Sequence, residues 1–295
     1  MQTPTLDHLA LITVTGADAR TFLDGQLTRD VPPAHGPATL AGYCSPKGRL
    51  LAIFTMWADD EAVHLVTRRD VADAIVRRLR MYVLRAKVVI EDVTAAHRLD
   101  GIVDSGPVAQ REWDVVREAS TTTVHVPSAD GRARRLVIDG DEAGVDANTW
   151  RWSEIRAGIP SVVAATQDRF VPQMVNLEAI GGVDFKKGCF PGQEIVARSQ
   201  YLGKLKRRVS LLRAASADVV PQPGGDAWAA GANEAQGTIV DAASGPDGSV
   251  SALVELPLAV GRTPLHVGTP DGPTFDFDVL PYALPDNEVF ARPKL

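Results

Sequence analysis

Cysteine is nearly missing from this chain: 295 residues carry two, Cys44 and Cys189. So few exclude a disulfide framework, and both are read as free thiols in a reducing compartment. No CxxC or HxxxH spacing occurs, so no metal site built by the protein alone is expected. The glycine signatures of dinucleotide and phosphate loops, GxGxxG and GxxxxGK[ST], are missing too. Six scattered histidines give no pattern for Ser-His-Asp chemistry. No apolar run approaches the roughly 20 residues that span a bilayer. The start, MQTPTLDHLALITVTG, lacks the basic then apolar pattern of a secretion signal. A soluble, cytoplasmic protein with no membrane partner is expected. Positive charge is also short, with 31 Lys and Arg against 37 Asp and Glu and a net charge of −6. That excludes a uniformly basic face for DNA and leaves room only for a local patch.

What is present reads as an ordinary globular mix, long enough for two or three domains. Residues 8–14 form a short β-rich run, and 17–30 carry Ala19, Phe22, Leu23 and Leu27 at helical spacing. Ser45-Pro46-Lys47-Gly48 reads as the tight turn of a hairpin whose second arm is 50–57. Strands at 62–66 and 87–92 flank a helix at 70–85, where Val71, Ile75 and Leu79 share one face. Short β runs follow to about residue 140, giving an α+β region on an antiparallel sheet. Residues 148–158 have a capping start and a glycine stop, so they form a helix. Its Trp150 and Trp152 point to different faces. The stretch 167–192 is loop-rich. From about 205 only short β runs between Pro, Gly and Asp turns remain, the pattern of a small barrel or sandwich. The final residues, 286–295, read as a frayed tail.

The chemistry concentrates in KGCFPGQE, residues 187–194. A thiolate is the reactive form of cysteine, and nearby positive charge favours it. Lys186 and Lys187 supply charge, Gly188 and Gly192 permit tight turns, and Gln193 and Glu194 add an amide and a carboxylate. On composition alone the commoner reading is a buried free cysteine in a Gly-rich turn; the other is a reactive thiol. Cys44, in a second Lys-Gly turn, is a candidate partner thiol. The run Lys204, Lys206, Arg207, Arg208 reads as a solvated edge strand or as a site for a carboxylate tail or RNA phosphates.

KGCFPGQEIVAR resembles the signature of the YgfZ family: lysine, glycine, cysteine, an aromatic residue, any residue, glycine, glutamine, glutamate. VTGADARTFLDGQLTRD is similar to the N-terminal segment that this family shares with the glycine-cleavage aminomethyltransferases. FVPQMVNLEAIGGVDFKKGC and RSQYLGKLKRRV are similar to the segments on either side of the signature. The resemblance covers most of the chain and favours the reactive thiol at Cys189. It implies an α+β, aminomethyltransferase-like multidomain ring around a tetrahydrofolate pocket. A ferredoxin-like portion at about 50–140 belongs to the region 1–205, and a C-terminal β-barrel spans 206–295. It further implies a protein that assists assembly or repair of iron–sulfur enzymes, including those that modify tRNA. Cys189 and Lys187 are then the functional pair, supported by Gly188, Phe190, Gly192, Gln193 and Glu194. Tetrahydrofolate or a derivative would contact Trp150, His8, Asn176 and Arg207, with no resident metal. A transient iron–sulfur cluster would come from a partner. Partners would be iron–sulfur carriers or client enzymes, with an indirect link to tRNA.

Three departures bear on the activity that the resemblance implies. A tryptophan of the family's first strand is His8 here. The aspartate pair of aminomethyltransferases, in a stretch like GGIIDD, is replaced in GRLLAI, residues 48–53. Their pterin-holding glutamate falls at Arg156, which offers only donors. Glycine-cleavage activity is therefore not expected. A one-carbon transferase using Asp24, Asp30 or Glu178, or a scaffold without catalysis, are the rival readings.

Overall fold

A computed structural model describes residues 6–107, 110–201 and 205–285. Three antiparallel sheets organise it. The first has the order β2 (Thr39–Cys44), β3 (Leu50–Ala58), β4 (Ala62–Arg68), β1 (Leu9–Thr15), β5 (Val89–Asp92). The β2–β3 hairpin turns at Ser45–Gly48, where Gly48 has φ +69 and its N–H bonds back to the Ser45 carbonyl. That backbone conformation favours glycine over any residue with a Cβ. Helix α2 (Arg69–Arg80) packs on this sheet through Val71, Ile75 and Leu79, the apolar face expected from the spacing.

The second sheet runs β6 (Leu99–Pro107), β9 (Arg132–Ile138), β8 (Thr121–Val126), β7 (Val115–Glu118). Residues 50–140, read as one portion, are thus divided between two sheets. Helix α3 (Ala147–Arg156) follows, its start fixed by the Asp146 carboxylate accepting from the Asn148 and Thr149 amides at 3.0 Å. It bridges β6 of the second sheet and β12 and β13 of the barrel. That barrel closes in the order β10 (Arg207–Ala214), β13 (Val250–Pro257), β12 (Gly237–Ser244), β11 (Asp226–Ala229), β14 (Leu265–Gly268), β15 (Thr274–Phe277).

Three expectations change. Helix α1 covers only Ala19–Asp24, because the chain turns at Gly25 and Leu27 enters a β-bridge with Tyr43. Helix α2 stops at Arg80: the Arg80 guanidinium bonds the Ile90 carbonyl and folds the following turn back onto β5. A helix not anticipated, α4 (Gln193–Tyr201), begins inside the signature. The 286–295 tail lies outside the described residues. Among the described residues no helix is long and apolar enough to cross a membrane.

Candidate functional site

The signature forms a turn that alternates inward and outward. Lys187 and Phe190 are buried, while Gly188 and Cys189 are exposed. Two close approaches fix it. A Cβ on Gly192, at φ +78, would lie 2.4 Å from the Ser45 carbonyl oxygen, and one on Gly48 would lie 2.8 Å from Ile195 Cβ. The signature turn and the Ser45–Gly48 turn therefore meet through two glycines that admit no side chain. Helix α4 leaves from this contact, four residues after the thiol.

Lys187 does not lie free beside Cys189. Its side chain is fully buried, and its ammonium donates to the Asp24 carbonyl and, at 2.9 Å, to the Leu27 carbonyl. Asp30 Oδ1 is 3.3 Å away, and the Phe190 ring centroid 5.3 Å. Three acceptors match the three protons of the ammonium. Any influence of this charge on the thiol therefore acts through space rather than by a hydrogen bond. Cys44 is in the opposite environment to Cys189: it is buried in apolar surroundings, which push its thiol up to about 12. An inert, protonated thiol results.

A second centre lies where the first two sheets and α3 converge. A narrow pocket of about 50 Å³ is lined by Arg68, Trp113, Arg134, Trp150 and Glu154, with Leu40 and Ile53 among its apolar walls. Trp150 is held against the sheet because β6 carries Gly101 there; a Cβ on Gly101 would lie 2.3 Å from the indole. The Arg134 guanidinium sits 4.6 Å from the ring centroid. Three donors around this space are buried without a hydrogen-bond partner, Arg68 Nη1, Arg134 Nη2 and Trp150 Nε1, although Arg68 Nη1 lies 3.7 Å from the Asp241 carboxylate. Glu154 lies one turn after Trp150 on the same face of α3, and no hydrogen bond to its carboxylate is made by the described residues. Burial raises the Glu154 pKa, opposed by Arg134 and Arg68. Burial also pulls Arg134 down to about 10.

Glu154 is the functional candidate that the sequence reading missed. Arg156, where the resemblance puts the pterin-holding position, instead lines another cleft and pairs with Asp278. Counting four residues on from Trp150 along a helix would have found it. Trp152 lines the outer cleft with Arg156, as expected for a residue two positions from Trp150.

Behind Trp113 lies a cleft of about 650 Å³ lined by Asp30, Arg29, Arg111 and Asp184. Trp113 thus lines both the narrow pocket and the larger cleft and forms a wall between them. Its φ is +71, a left-handed conformation that a bulky residue rarely adopts. Asp30 lines this cleft and pairs with Lys187, and Leu40 and Ile53 share one apolar cluster with Phe190. The thiol turn and the cavity are therefore parts of one packed unit.

The other candidates are placed elsewhere. Asn176 is buried in a left-handed turn at φ 60, donating to the Val209 carbonyl and accepting from Arg208 at 3.0 Å each. Arg207 pairs with Glu255 across the barrel at 2.5 Å, and Arg208 pairs with Glu178 at 2.7 Å. Those two cations of the expected basic run are thus matched by protein acceptors; Lys206 is exposed, and Lys204 lies outside the described residues. Asp24 accepts from the Val31 amide at 2.8 Å. None of Asn176, Arg207, Asp24, Asp30 or Glu178 lines the narrow pocket. His8 sits next to it in sequence, beside Leu9 of its wall. Both His8 ring nitrogens are buried and unpartnered, and burial, with Arg68 and Arg151 nearby, lowers the pKa to about 3. Among the described residues no group of three or more His, Cys, Asp or Glu could hold a metal ion.

Sequence comparison places this geometry among known proteins. The chain is 32% identical over 311 aligned residues to the tRNA-modifying protein YgfZ of Escherichia coli strain K12, covering 95% of this chain and 93% of that protein. The same values hold for the tRNA-modifying protein YgfZ of Shigella boydii serotype 18. The chain belongs to the YgfZ family. A solved structure, the glycine cleavage system aminomethyltransferase T of Bartonella henselae, superposes with a TM-score of 0.66 at 14% identity. The match covers 95% of this chain and 85% of that one. This YgfZ-family chain therefore has the aminomethyltransferase-like fold, with its α+β sheets and closed six-stranded barrel. No family model matches the chain.

Proposed function

We propose that this YgfZ-family protein supports tRNA modification by helping to assemble or repair the iron–sulfur enzymes that carry it out. In this reading it binds a tetrahydrofolate and acts through the thiol of Cys189. The observation that carries the reading is the polar set around the narrow pocket, in which Arg68 Nη1, Arg134 Nη2 and Trp150 Nε1 make no hydrogen bond. A pterin presents N–H donors to a carboxylate and ring nitrogen and carbonyl acceptors to donors. Glu154 supplies the first, and Arg68, Arg134 and Trp150 supply the second. The chemistry of the residues fits the group. The space does not yet: about 50 Å³ holds one or two waters, against the several hundred of a ligand pocket. Binding in this reading requires the cavity to open.

When bound, tetrahydrofolate would supply a reduced pterin able to carry one-carbon units. Glu154 and the three donors would orient it, and the apolar walls would exclude water. Cys189, exposed and at the surface, is free to meet a partner. One thiolate does not hold an iron–sulfur cluster, which needs about four ligands, so any cluster at Cys189 would depend on a partner's ligands. The missing aspartate pair, and the placement of Asp24, Asp30 and Glu178 outside the cavity, favour this reading over a one-carbon transferase.

Titration of the full chain with tetrahydrofolate, read by tryptophan fluorescence and calorimetry, tests the first half. Saturable binding is expected, weakened at least about tenfold in Glu154→Gln, on the order of one charge-assisted hydrogen bond. Complementation of a strain lacking its YgfZ protein, read as modified tRNA nucleosides, tests the second. Cys189→Ala should bind folate normally and fail to complement. Absence of binding removes folate from the account, and full complementation by Cys189→Ala removes the thiol.

A further inference from the structure

The turn after α2 carries a surface unlike the rest of this acidic protein. Residues 74–90 contain no Asp or Glu, yet hold Arg77, Arg78, Arg80, Arg85 and Lys87. Arg77, Arg80, Arg85 and Lys87 are exposed. No carboxylate among the described residues forms an ion pair with any of the five. Several cations elsewhere are matched by carboxylates, as at Arg207, Arg208, Arg135 and Arg151. The same turn exposes apolar side chains: Leu84 is 86% exposed, Met81 66%, Val89 53% and Tyr82 42%. The Arg78 guanidinium lies 6.0 Å from the Tyr82 ring centroid, which leaves an aromatic plane at the surface beside unpaired charge. A chain of net charge −6 that concentrates unmatched cations around exposed apolar groups presents a surface for an anionic partner with flat or apolar parts.

We infer that this turn binds RNA at unpaired nucleotides. Phosphates meet Arg77, Arg80, Arg85 and Lys87. Splayed bases meet Tyr82 and its guanidinium neighbour, and Leu84 and Met81 pack against the bases as apolar wedges. A bare duplex offers the phosphates without free base faces, so a hairpin loop is the better ligand. An anionic lipid surface would satisfy the same charges. The choice of RNA rests on the proposed role in tRNA modification and on the Tyr82–Arg78 pair, which suits stacking. The surface is separate from the thiol turn and from the cavity, neither of which includes any of these residues.

The test is fluorescence anisotropy with the full chain and a labelled anticodon stem-loop RNA, against a fully paired RNA of equal length. Phosphatidylcholine–phosphatidylserine vesicles are tested in parallel. Four phosphate contacts to unpaired RNA give a salt slope near −2.8, so affinity should fall about 50-fold between roughly 50 and 200 mM salt. Arg77→Ala, Arg85→Ala and Lys87→Ala together leave one contact and should shrink that fall to about 3-fold. Tyr82→Ala should erase the preference for the loop and leave the salt slope intact. All four substituted side chains are exposed, and circular dichroism checks that the variants fold. No RNA binding, vesicle binding without RNA binding, or RNA binding unchanged in the triple variant each overturns the inference. Such a failure would leave folate titration and the Cys189→Ala result untouched, so it is distinguishable from a failure of the proposed function.

Discussion

Replacing Lys187 by methionine separates what this lysine does for the fold from what it does for the thiol. The two side chains are close in volume and flexibility, so the change removes the ammonium and little else. The ammonium is fully buried and spans the Asp24 and Leu27 carbonyls, with Asp30 as counter-charge. Asp24 ends α1, a helix of six residues, so the lysine places positive charge at the negative end of a marginal helix. Without it, two buried carbonyls lose a charged donor, at roughly 1.5–3 kcal/mol each. Part of this is offset because the ammonium no longer has to be desolvated. Asp30 has a half-exposed side chain and returns to water at small cost. A net loss of about 3 kcal/mol is expected, or roughly 6–12 °C in melting temperature at the 2–4 °C per kcal/mol usual for large domains. Cys189→Ser, at an exposed site, should shift stability by no more than about 0.5 kcal/mol. The assay is thermal and urea unfolding of both variants beside wild type. If Lys187→Met melts within about 1 °C of wild type yet fails to complement, the lysine acts on chemistry and the structural account is wrong.

Gly101→Ala would drive a methyl into the Trp150 indole, where a Cβ lies 2.3 Å away; a loss of about 1–3 kcal/mol and a shifted Trp emission are expected, and unchanged emission would contradict the packing described. His8 is neutral in the folded protein, with a pKa near 3 against the ordinary 6.5, so below pH 6.5 the unfolded chain takes the proton and stability falls as pH drops. Between pH 6.5 and about 5 wild type should lose up to about 2 kcal/mol that His8→Leu keeps, measured by urea unfolding at each pH. Trp113→Ala should open the wall between cavity and cleft and raise the rate of tetrahydrofolate association by about tenfold or more in stopped flow, on the order of a lost conformational barrier; an unchanged rate would place the entry elsewhere.

Much of the scaffold was legible because it rests on local patterns. The β-rich run of β1, the Ser-Pro-Lys-Gly turn at Ser45–Gly48 and the buried stripe of Val71, Ile75 and Leu79 each follow from one short stretch of sequence. The parts that were not legible depend on contacts between distant segments. Leu27 leaves its helix because Tyr43 offers a bridge, and α2 ends because the Ile90 carbonyl captures Arg80. In the signature, sequence gives charge near the thiol but not its direction. Lys187 points away because three acceptors from residues 24–30 wait on the inner side. Glu154 was hidden for a different reason: the family register falls on Arg156, while the helical period from Trp150 marks Glu154.

The cavity has a thermodynamic consequence for how the site must work. Each buried polar group without a partner costs roughly 1–3 kcal/mol, and Arg68 Nη1, Arg134 Nη2 and Trp150 Nε1 make no hydrogen bond beside a space of about 50 Å³. Apolar residues at these positions would pack the same interface at lower cost, so in the proposed function the polar set weakens the fold in return for recognising a ligand. The walls differ in how readily they yield. Arg68 and Arg134 stand on paired strands, and Trp150 is clamped between Gly101 and Arg134. Trp113 alone among the polar and aromatic lining groups sits on a left-handed backbone with an open cleft behind it. Strain and free volume coincide there, so Trp113 is the wall with the least to lose by moving. Its cleft also contains Asp30, the counter-charge of Lys187, so a ligand that displaces Trp113 acts on the group that braces the thiol turn.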